Sequence, residues 1–312
     1  MKDRTRDAVL IYGSGTMGCG IASCALLAGE QVILLDVDAT ASQKGSERIK
    51  RILADMHEQG LCKNTEVSKA IEHLSVARNL ESVKDRTKLV IEAVYENISL
   101  KQDIFTCLDA VMPPEVPLLS NTSGLRITDI AKKTKHQERT LTAHFWLPAN
   151  LIPLVEIVIG DSSSPELAEK IKEYLTGWGK KPVIVKRDLP GQLANRILQA
   201  VIREAVNIVE IGLASPEDVD TAIKMGMALR FPVWGPLEHV DAVGFDICES
   251  VQNTVLPELT DRKSASPLFA KMRSEGNIGH KTGKGFYDWS QKDMDTLVKR
   301  RNEFIVHALK KV

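Results

Sequence analysis

The stretch AVLIYGSGTMGCGIASCALLAGEQVILLD, residues 8–36, decides the fold that this sequence predicts. It opens with a short apolar run that contains β-branched residues, and the glycine-rich segment GSGTMG follows at 13–18. Small and apolar residues then recur at helical spacing, and a second apolar run at 31–35 ends in Asp36. A strand, a glycine turn, a helix, a second strand and an acidic residue together form the fingerprint of a dinucleotide-binding fold.

The glycine segment supplies the phosphate side of such a site. Gly13 permits the tight turn, Gly15 lets the backbone approach a pyrophosphate, and Gly18 lets the helix pack closely on the strand. Thr16 and Met17 begin the helix, where free backbone N–H groups face the anion. We therefore predict that residues 13–18 bind the phosphates of the cofactor.

Asp36 supplies the specificity for the cofactor. Its carboxylate lies where it can accept hydrogen bonds from both hydroxyls of an adenosine ribose. The same negative charge repels a 2′-phosphate, so the sequence predicts NAD rather than NADP. The alternative is an ordinary glycine turn in an α/β sheet, which leaves the position of Asp36 unexplained.

Composition limits the classes of protein to which the chain can belong. The 312 residues are 43% hydrophobic and 26% charged, as in a soluble globular protein. Lys+Arg and Asp+Glu are both 41, and this zero net charge argues against nucleic acid as the main partner. No apolar run reaches the roughly 18 residues of a membrane helix. The five cysteines are scattered without metal-ligand spacing, so we expect no metal site and a cytoplasmic, reduced protein.

Apolar runs of strand length alternate with helical patterns as far as residue 187. This alternation predicts a largely parallel, doubly wound α/β sheet of the Rossmann type. The predicted strands are 8–12, 31–35, 88–94, 139–145, 154–160 and 181–188, and the segment 116–123 is predicted to be a strand followed by a turn. The predicted helices are the first one after the glycine turn, a charged helical arm at 39–60 and 64–73, and two more at 96–112 and 165–179.

The pattern changes after LPG at 189–191, where proline and glycine interrupt regular structure. Only helices are predicted beyond this point, at 195–212, 215–226, 235–256 with a pause near Gly244, and in the tail 290–312. We therefore expect an NAD-binding Rossmann domain at 1–187 and an all-α C-terminal domain at 188–312. The second domain has about 125 residues and would struggle to bury its apolar helices alone, which predicts a homodimer.

A histidine and a glutamate follow each other on two predicted strands. His144 is near the end of RTLTAHF, which places it at the edge of the sheet where a nicotinamide would bind. Glu156 lies between apolar residues in LVEIV, and a buried carboxylate is costly unless it is paired. These positions indicate a His–Glu dyad in which the carboxylate stabilises the imidazolium formed on proton uptake. The alternative is a structural histidine beside an unrelated buried pair.

A series of short segments occurs in a fixed order between residues 8 and 289. The segments are GSGTMG, VIEAVYEN, SNTSGL, HFWLP, LVEIV, GQLANR, GPLEHVDAVGFD and KTGKGFYDW. In these segments the chain resembles the NAD-dependent 3-hydroxyacyl-CoA dehydrogenase family. That family includes smaller relatives, namely λ-crystallin with its gulonate 3-dehydrogenase activity and carnitine dehydrogenase, and its small members are two-fold dimers through the second domain.

The resemblance implies a role for each matching polar residue. It implies that His144 is the base in oxidation and the acid in reduction, with Glu156 as its partner. Ser123 would hydrogen-bond the substrate oxygen, and Asn195 would contact the substrate or the histidine. The residues implied for the nicotinamide-ribose side are Glu96, Lys101 and Asn121. Considered singly, Ser123 is a turn residue, Asn195 a helix-start residue and Lys101 a solvated charge.

The sequence departs from the family pattern on the substrate side. Leu147 stands three positions after His144, where the family usually has Asn, so one polar group is missing. The polar residues that hold CoA in the helical arm are not clearly reproduced at 39–60. Arg230 lies in an insertion that resembles the enzymes of small free acids, and a guanidinium can clamp a carboxylate with two N–H donors. Arg126 is a second candidate, and surface charge is the alternative for both.

Three functions remain open at this point. The first is NAD-dependent oxidation of the 3-hydroxyl of a 3-hydroxyacyl-CoA, as in fatty acid metabolism, with the CoA phosphates on the basic residues of the arm. The second is the same chemistry on a small free 3-hydroxy acid, as in gulonate or carnitine dehydrogenase. The third is a non-catalytic, crystallin-like role, against which the intact set of Ser123, His144, Glu156 and Asn195 argues.

The carboxylate of Asp36 predicts the preference for the cofactor. NADH should bind much more tightly than NADPH, because the 2′-phosphate of NADPH would meet a negative charge. Titration of the protein with both nucleotides measures this difference. Equal affinities would contradict the role assigned to Asp36.

Overall fold

The computed structural model describes residues 6–311, which form two compact units. The N-terminal unit extends to Asn195 and the C-terminal unit begins at Arg196. This division lies after the join expected at 187/188, because the intervening residues hydrogen-bond to the sheet unit. Asp188 accepts from Thr128, and Gln192 donates to the backbone oxygen of Thr122.

The N-terminal unit is built on one sheet of eight strands. The strands are β1 (Ala8–Tyr12), β2 (Gln31–Leu35), β3 (Leu74–Val76), β4 (Thr87–Glu92), β5 (Leu118–Ser120), β6 (Thr140–Phe145), β7 (Leu154–Val158) and β8 (Lys181–Val185). Their order is β3-β2-β1-β4-β5-β6-β7-β8, and neighbouring strands are parallel except for the antiparallel pair β6 and β7. Successive strands are added toward one edge of the sheet from β1 to β3 and toward the other edge from β4 onward. The boundary between β1 and β4 is therefore the topological switch point, where such sheets bind ligands.

Helices cover both faces of this sheet. They are α1 (Thr16–Leu27), α2 (Ala39–Glu58), α3 (Asn64–Glu72), α4 (Ile98–Val111), the short α5 (Ile127–Ile130) and α6 (Pro165–Gly177). Side chains of β1 alternate between the two layers, since Val9 and Ile11 pack with α1 while Leu10 packs with Phe105 and Leu108 of α4. Burial on both faces explains why the parallel strands are continuous apolar runs in the sequence.

The predicted Rossmann-type sheet and the helical arm are confirmed, the arm as α2 and α3. Each predicted strand is present, with ends that differ by a few residues. The prediction missed β3, which has three residues and follows the arm directly, and it missed α5. Both elements are too short to show a period of hydrophobic residues.

The C-terminal unit is helical, and its first helix, α7 (Ala194–Glu210), begins just before the division. The helices that follow are α8 (Pro216–Ala222), α9 (Pro236–Val243), α10 (Phe245–Val255), α11 (Pro267–Ser274) and α12 (Met294–Leu309). The all-α prediction is confirmed, and Gly244 separates α9 from α10 with a positive φ of 102°. The prediction missed α11, and a π-helical turn at Ile223–Met227 continues α8.

Within residues 6–311 no helix is both long and apolar enough to cross a membrane. The same residues contain no cluster of three or more His, Cys, Asp or Glu side chains arranged to hold a metal ion.

Candidate active site

The glycine turn follows β1 at the carboxyl edge of the sheet. Gly13 has a φ of 114°, and a Cβ there would lie 2.6 Å from the backbone oxygen of Ala93. A Cβ on Gly18 would lie 1.9 Å from the backbone oxygen of Gly13, so α1 reaches the strand only because this residue is glycine. Gly15 has open space where its Cβ would be, and it is exposed together with Thr16. Gly13 and Gly18 are therefore required for packing within the turn, whereas Gly15 leaves open space in which a ligand can approach the backbone.

The start of α1 has the features of an anion site. No side chain caps the helix, since its N-cap is Gly15, and Thr16 and Met17 form its first turn. The backbone N–H groups of this turn are therefore available to a pyrophosphate. The fit extends to Asp36 at the end of β2, whose carboxylate accepts from the backbone N–H groups of Ser14 and Val37 at 2.6 and 2.7 Å. These residues fit the dinucleotide that the sequence predicted.

His144 and Glu156 lie opposite each other in the antiparallel pair β6 and β7. The Nδ1 atom of His144 is 2.8 Å from Oε2 of Glu156. Glu156 has no exposed surface, and His144 is 7% exposed. The contact at Nδ1 fixes the imidazole plane and leaves Nε2 as the ring atom that can exchange a proton with a substrate.

Four hydrogen bonds hold the Glu156 carboxylate. His144 and the Trp146 indole contact Oε2, and the backbone N–H groups of Leu193 and Ala194 donate to Oε1 at 2.9 and 2.8 Å. Burial by itself raises the pKa of Glu156, but these bonds outweigh it and hold the pKa at about 2. The carboxylate is therefore charged throughout the neutral range, which is the state that stabilises an imidazolium.

Glu96 organises the loop that carries Ser123. Its Oε1 atom accepts from the Thr122 hydroxyl at 2.6 Å and from the backbone N–H groups of Ser123 and Gly124 at 3.0 Å. Burial by itself raises the pKa of Glu96, but the Thr122 hydroxyl, the Lys101 charge and these two N–H groups lower it below its usual range. Glu96 is thus a fixed anion that sets the position of the Ser123 hydroxyl.

Two asparagines link this loop to the dyad. The Asn121 side chain accepts from the backbone N–H of Phe145 at 2.8 Å, which ties the loop to the residue after His144. The Asn195 side chain donates to the backbone oxygen of Ser123 at 3.3 Å. Asn195 directly follows Ala194, one of the two residues whose N–H groups hold Glu156. Hydrogen bonds therefore connect all four predicted catalytic residues within the N-terminal unit.

The alternative that Lys101 is a solvated surface charge is wrong, because its side chain is fully buried. Its ammonium lies 2.7 Å from Oε1 of Glu92, which is equally buried, and 3.6 Å from Glu96. The Ser120 hydroxyl donates to the other oxygen of Glu92 at 2.6 Å. Sequence reasoning missed Glu92, the last residue of β4. A carboxylate that ends an apolar strand, nine positions before a lysine, was the available signal.

The two arginine candidates have different surroundings. Arg126 donates to the backbone oxygen of Asp188 at 2.9 Å and pairs with the Asp161 carboxylate at 3.1 Å. Its guanidinium thus has partners among the protein's own carboxylates, and a role for Arg126 in binding a substrate carboxylate stays a prediction. Arg230 lies between α8 and α9 in the C-terminal unit, and within residues 6–311 no ion pair involves it. It lines a cavity of about 290 Å³ with Met227, Phe231, Trp234, Pro236 and His239.

The comparisons with known proteins agree with this geometry. The family model described as 3-hydroxyacyl-CoA dehydrogenase, NAD binding domain, matches residues 8–189, and the one for the C-terminal domain matches residues 191–289. A probable 3-hydroxybutyryl-CoA dehydrogenase of Bacillus subtilis is 38% identical over 285 residues, which are 91% of this chain and 98% of that protein. This chain belongs to the 3-hydroxyacyl-CoA dehydrogenase family.

Two further relatives differ in the substrates that their names give. The 5-formyl-3-hydroxy-2-methylpyridine 4-carboxylate 5-dehydrogenase of Mesorhizobium japonicum is 30% identical over 298 residues, 96% of each chain. A crystal structure of a 5-dehydrogenase of the corresponding carboxylic acid, described as an NAD+ dependent dismutase, has a TM-score of 0.89, 29% identity and 97% coverage of both chains. The (S)-3-hydroxybutyryl-CoA dehydrogenase of Ralstonia eutropha has a TM-score of 0.76 at 32% identity, covering 91% of this chain and 99% of its own. The chain is therefore an NAD-dependent dehydrogenase, which confirms the predicted family and cofactor.

The structure adds Gln192 and Trp146 to the residues that form the site. Gln192 is buried, has a positive φ of 53°, and donates from its side-chain amide to the Thr122 backbone oxygen at 2.9 Å. Its turn directs the next two N–H groups onto Glu156. Trp146 donates from its indole to the same carboxylate. Gln192 lies in the segment GQLANR that carries the resemblance, but its role was not predicted, because the sequence does not show that a non-glycine residue adopts a left-handed conformation.

The buried pair of Glu92 and Lys101 predicts that two Glu→Gln variants differ greatly in their free energy of unfolding. Glu92→Gln should destabilise the protein by about 3–5 kcal/mol, because it removes the buried counter-charge at 2.7 Å and leaves the Lys101 ammonium with only the more distant, partly exposed Glu96 at 3.6 Å. The matched control is Glu81→Gln, which removes an exposed partner of Lys84 and should change the free energy of unfolding far less, because solvent screens that pair. Urea unfolding at neutral pH measures both changes. Equal effects would contradict this prediction and show that Glu96 alone compensates the Lys101 charge.

Proposed function

We propose that the protein oxidises the 3-hydroxyl of a 3-hydroxyacyl-CoA to the 3-keto product, with NAD as the hydride acceptor. The contact of His144 with Glu156 at the carboxyl edge of the sheet carries this proposal. It supplies a base beside the edge where the glycine turn and Asp36 fit the dinucleotide. Several of the most similar relatives are named as dehydrogenases of 3-hydroxybutyryl-CoA or hydroxyacyl-CoA.

His144 accepts the proton in the proposed reaction. Its Nε2 atom takes the hydroxyl proton of the substrate while the carbinol hydrogen leaves as hydride, so the C–O single bond becomes the keto group. NAD, when bound, accepts that hydride at its nicotinamide ring. The charged Glu156 stabilises the imidazolium that forms. In the reverse direction the same imidazolium returns the proton to the oxygen.

Ser123 and Asn195 hold the substrate in this proposal. The Ser123 hydroxyl donates to the reacting oxygen, and Glu96 fixes the loop that presents it. Asn195 braces the loop from its other side through the Ser123 backbone oxygen. Asn121 supports the nicotinamide-ribose side together with Glu96, whereas Lys101, being buried, acts there through its charge on Glu96.

The helical arm is the proposed place for the CoA phosphates. Lys44, Arg48 and Arg51 are exposed on α2, while Lys50 is partly buried and paired with Glu47 at 2.9 Å. Exposed cations on one helix are suitable partners for phosphate groups. The cytoplasmic location and the lack of a nucleic acid partner stay predictions from composition.

A second candidate is oxidation of a small free acid. The high structural similarity to the pyridine-carboxylate dehydrogenase, with a TM-score of 0.89 over 97% of both chains, favours it. Arg230 adds to it, because its guanidinium is available in a cavity lined by aromatic and apolar residues. Such a cavity suits an organic acid whose carboxylate accepts two hydrogen bonds.

Two sets of variants separate these candidates. If the substrate is an acyl-CoA, the double variant Arg48→Gln/Arg51→Gln should raise KM, and Arg230→Met should have a mild effect. If the substrate is a small acid, Arg230→Met should lower kcat/KM by ~10²-fold or more, since a charge-assisted pair is worth about 1.5–3 kcal/mol or above. Steady-state kinetics with CoA thioesters and free hydroxy acids measures both. Turnover of free acids with none of any CoA thioester would contradict the first candidate.

We also propose that the C-terminal unit pairs with a second copy of itself. The buried hydrophobic residues of its described part are Val206 and Val306 alone, whereas Val233 is 87% and Leu237 81% exposed. A unit with so small a core of its own needs a partner to cover its apolar surface. A second copy fits, because the apolar helices offer the same surface to a two-fold mate.

Light scattering at micromolar concentration tests this assembly. The protein should have twice the mass of the 34.5 kDa chain, and Leu237→Asp should shift it toward the monomer because it places a charge on the exposed apolar surface. Val37→Asp alters a similarly exposed residue of the N-terminal unit, at 76%, and should leave the mass unchanged. A monomeric mass of the unaltered protein would refute the dimer.

A further inference from the structure

Trp146, the first residue after β6, contacts the pair formed by His144 and Glu156. Its indole Nε1 donates to Oε2 of Glu156 at 2.9 Å, and Nδ1 of His144 lies 2.8 Å from the same oxygen. The indole and imidazole rings are 5.7 Å apart at an angle of 51°. One carboxylate oxygen is therefore shared between a neutral N–H donor that keeps its proton and an imidazole that gains and loses one.

We propose that Trp146 is a positioning residue that sets the proton affinity of His144 by sharing Oε2 of Glu156. The catalytic meaning of this inference rests on the proposed function, in which His144 is the base. Trp146 does not exchange a proton in the reaction, and it acts through the carboxylate.

The effect follows from the charge of the shared oxygen. A hydrogen bond from a neutral donor stabilises the carboxylate and reduces the attraction that the same oxygen exerts on an imidazolium. Trp146 therefore makes His144 less basic than an isolated His–Glu pair would. The neutral imidazole is the form that accepts the hydroxyl proton in oxidation.

The groups that face Glu156 come from each neighbouring element. β6 contributes the titratable His144, and β8 contributes Val183 at the paired position. The turn before α7 contributes the backbone N–H groups of Leu193 and Ala194, which are neutral and bind the other oxygen. Oε2 therefore has one titratable partner, His144, and one neutral hydrogen-bond donor, the Trp146 indole.

The segment after His144 gives Trp146 a particular importance. It reads Phe145, Trp146, Leu147 and Pro148, and Trp146 alone among these residues has a side-chain N–H. Leu147 has a side chain that is 57% exposed and cannot form hydrogen bonds. The polar group that this segment brings to the dyad is therefore the indole.

Titration of His144 by NMR tests the inference in the whole protein. The chain has 7 histidines, and with ¹⁵N-labelled histidine the His144 signals are those lost in His144→Gln. Trp146→Phe should raise the pKa of His144 by roughly half a unit to one unit, and Trp146→Leu should do the same. Glu156→Gln should lower the pKa, because it removes the counter-charge. Because the two kinds of variant should shift the pKa of His144 in opposite directions, the titration distinguishes loss of the indole from loss of the Glu156 charge.

Trp178→Phe is the matched control. Its indole also donates to a glutamate, Glu30, at 3.3 Å, but Glu30 precedes β2 at the opposite edge of the sheet. This variant should leave the His144 pKa unchanged. NADH binding by every variant checks that the fold is retained. A His144 pKa that is unchanged or lowered in both Trp146 variants would overturn the inference.

The titration needs neither substrate nor cofactor, so its result is independent of the proposed function. Predicted shifts in a protein that oxidises no hydroxy substrate would refute the function and leave the inference standing. Where turnover is found, the acidic limb of the kcat/KM profile for oxidation should move up in pH for Trp146→Phe and down for Glu156→Gln. A change in kcat without movement of that limb would indicate a merely structural role.

Discussion

The fully buried carboxylate of Glu156 is the constraint on which the site depends. A charge without solvent must be surrounded by donors, and these come from β6, from the segment after it and from the turn before α7. Loss of any one donor would leave a buried charge less well compensated. The need to satisfy this carboxylate thus fixes the imidazole of His144 and the start of the helix that carries Asn195.

A second buried charge supports the cofactor side in the same way. Glu92 ends β4 and holds Lys101, and Lys101 in turn lies near Glu96, which binds the Ser123 loop through two backbone N–H groups. Asn121 joins this loop to the end of β6. The carboxyl edge of the sheet is therefore a connected set of hydrogen bonds, in which the expected cofactor side and the expected proton-transfer side share residues.

Much of this arrangement could be predicted from the sequence, because its strongest constraints are local. The glycine turn, Asp36 and the alternating strands form one contiguous pattern, and the pairing of His144 with Glu156 follows from two short strands with a charge in an apolar run. The contacts of Glu92 with Ser120 and of Gln192 with Thr122 could not be predicted, since each joins segments far apart in the chain. The pairing of Arg126 with Asp161, 35 positions further along the chain, is another contact that the sequence did not predict.

The central claim is that His144 removes the hydroxyl proton while the substrate is oxidised. Single-turnover formation of NADH by His144→Gln, with the substrate that the unaltered enzyme oxidises, tests it most directly. His136→Gln, which alters a histidine paired with Glu138 on the surface, is the control. The account predicts normal NADH binding in both variants and a hydride transfer that is slowed ~10²–10⁴-fold in His144→Gln alone. A rate close to that of the unaltered enzyme would contradict it.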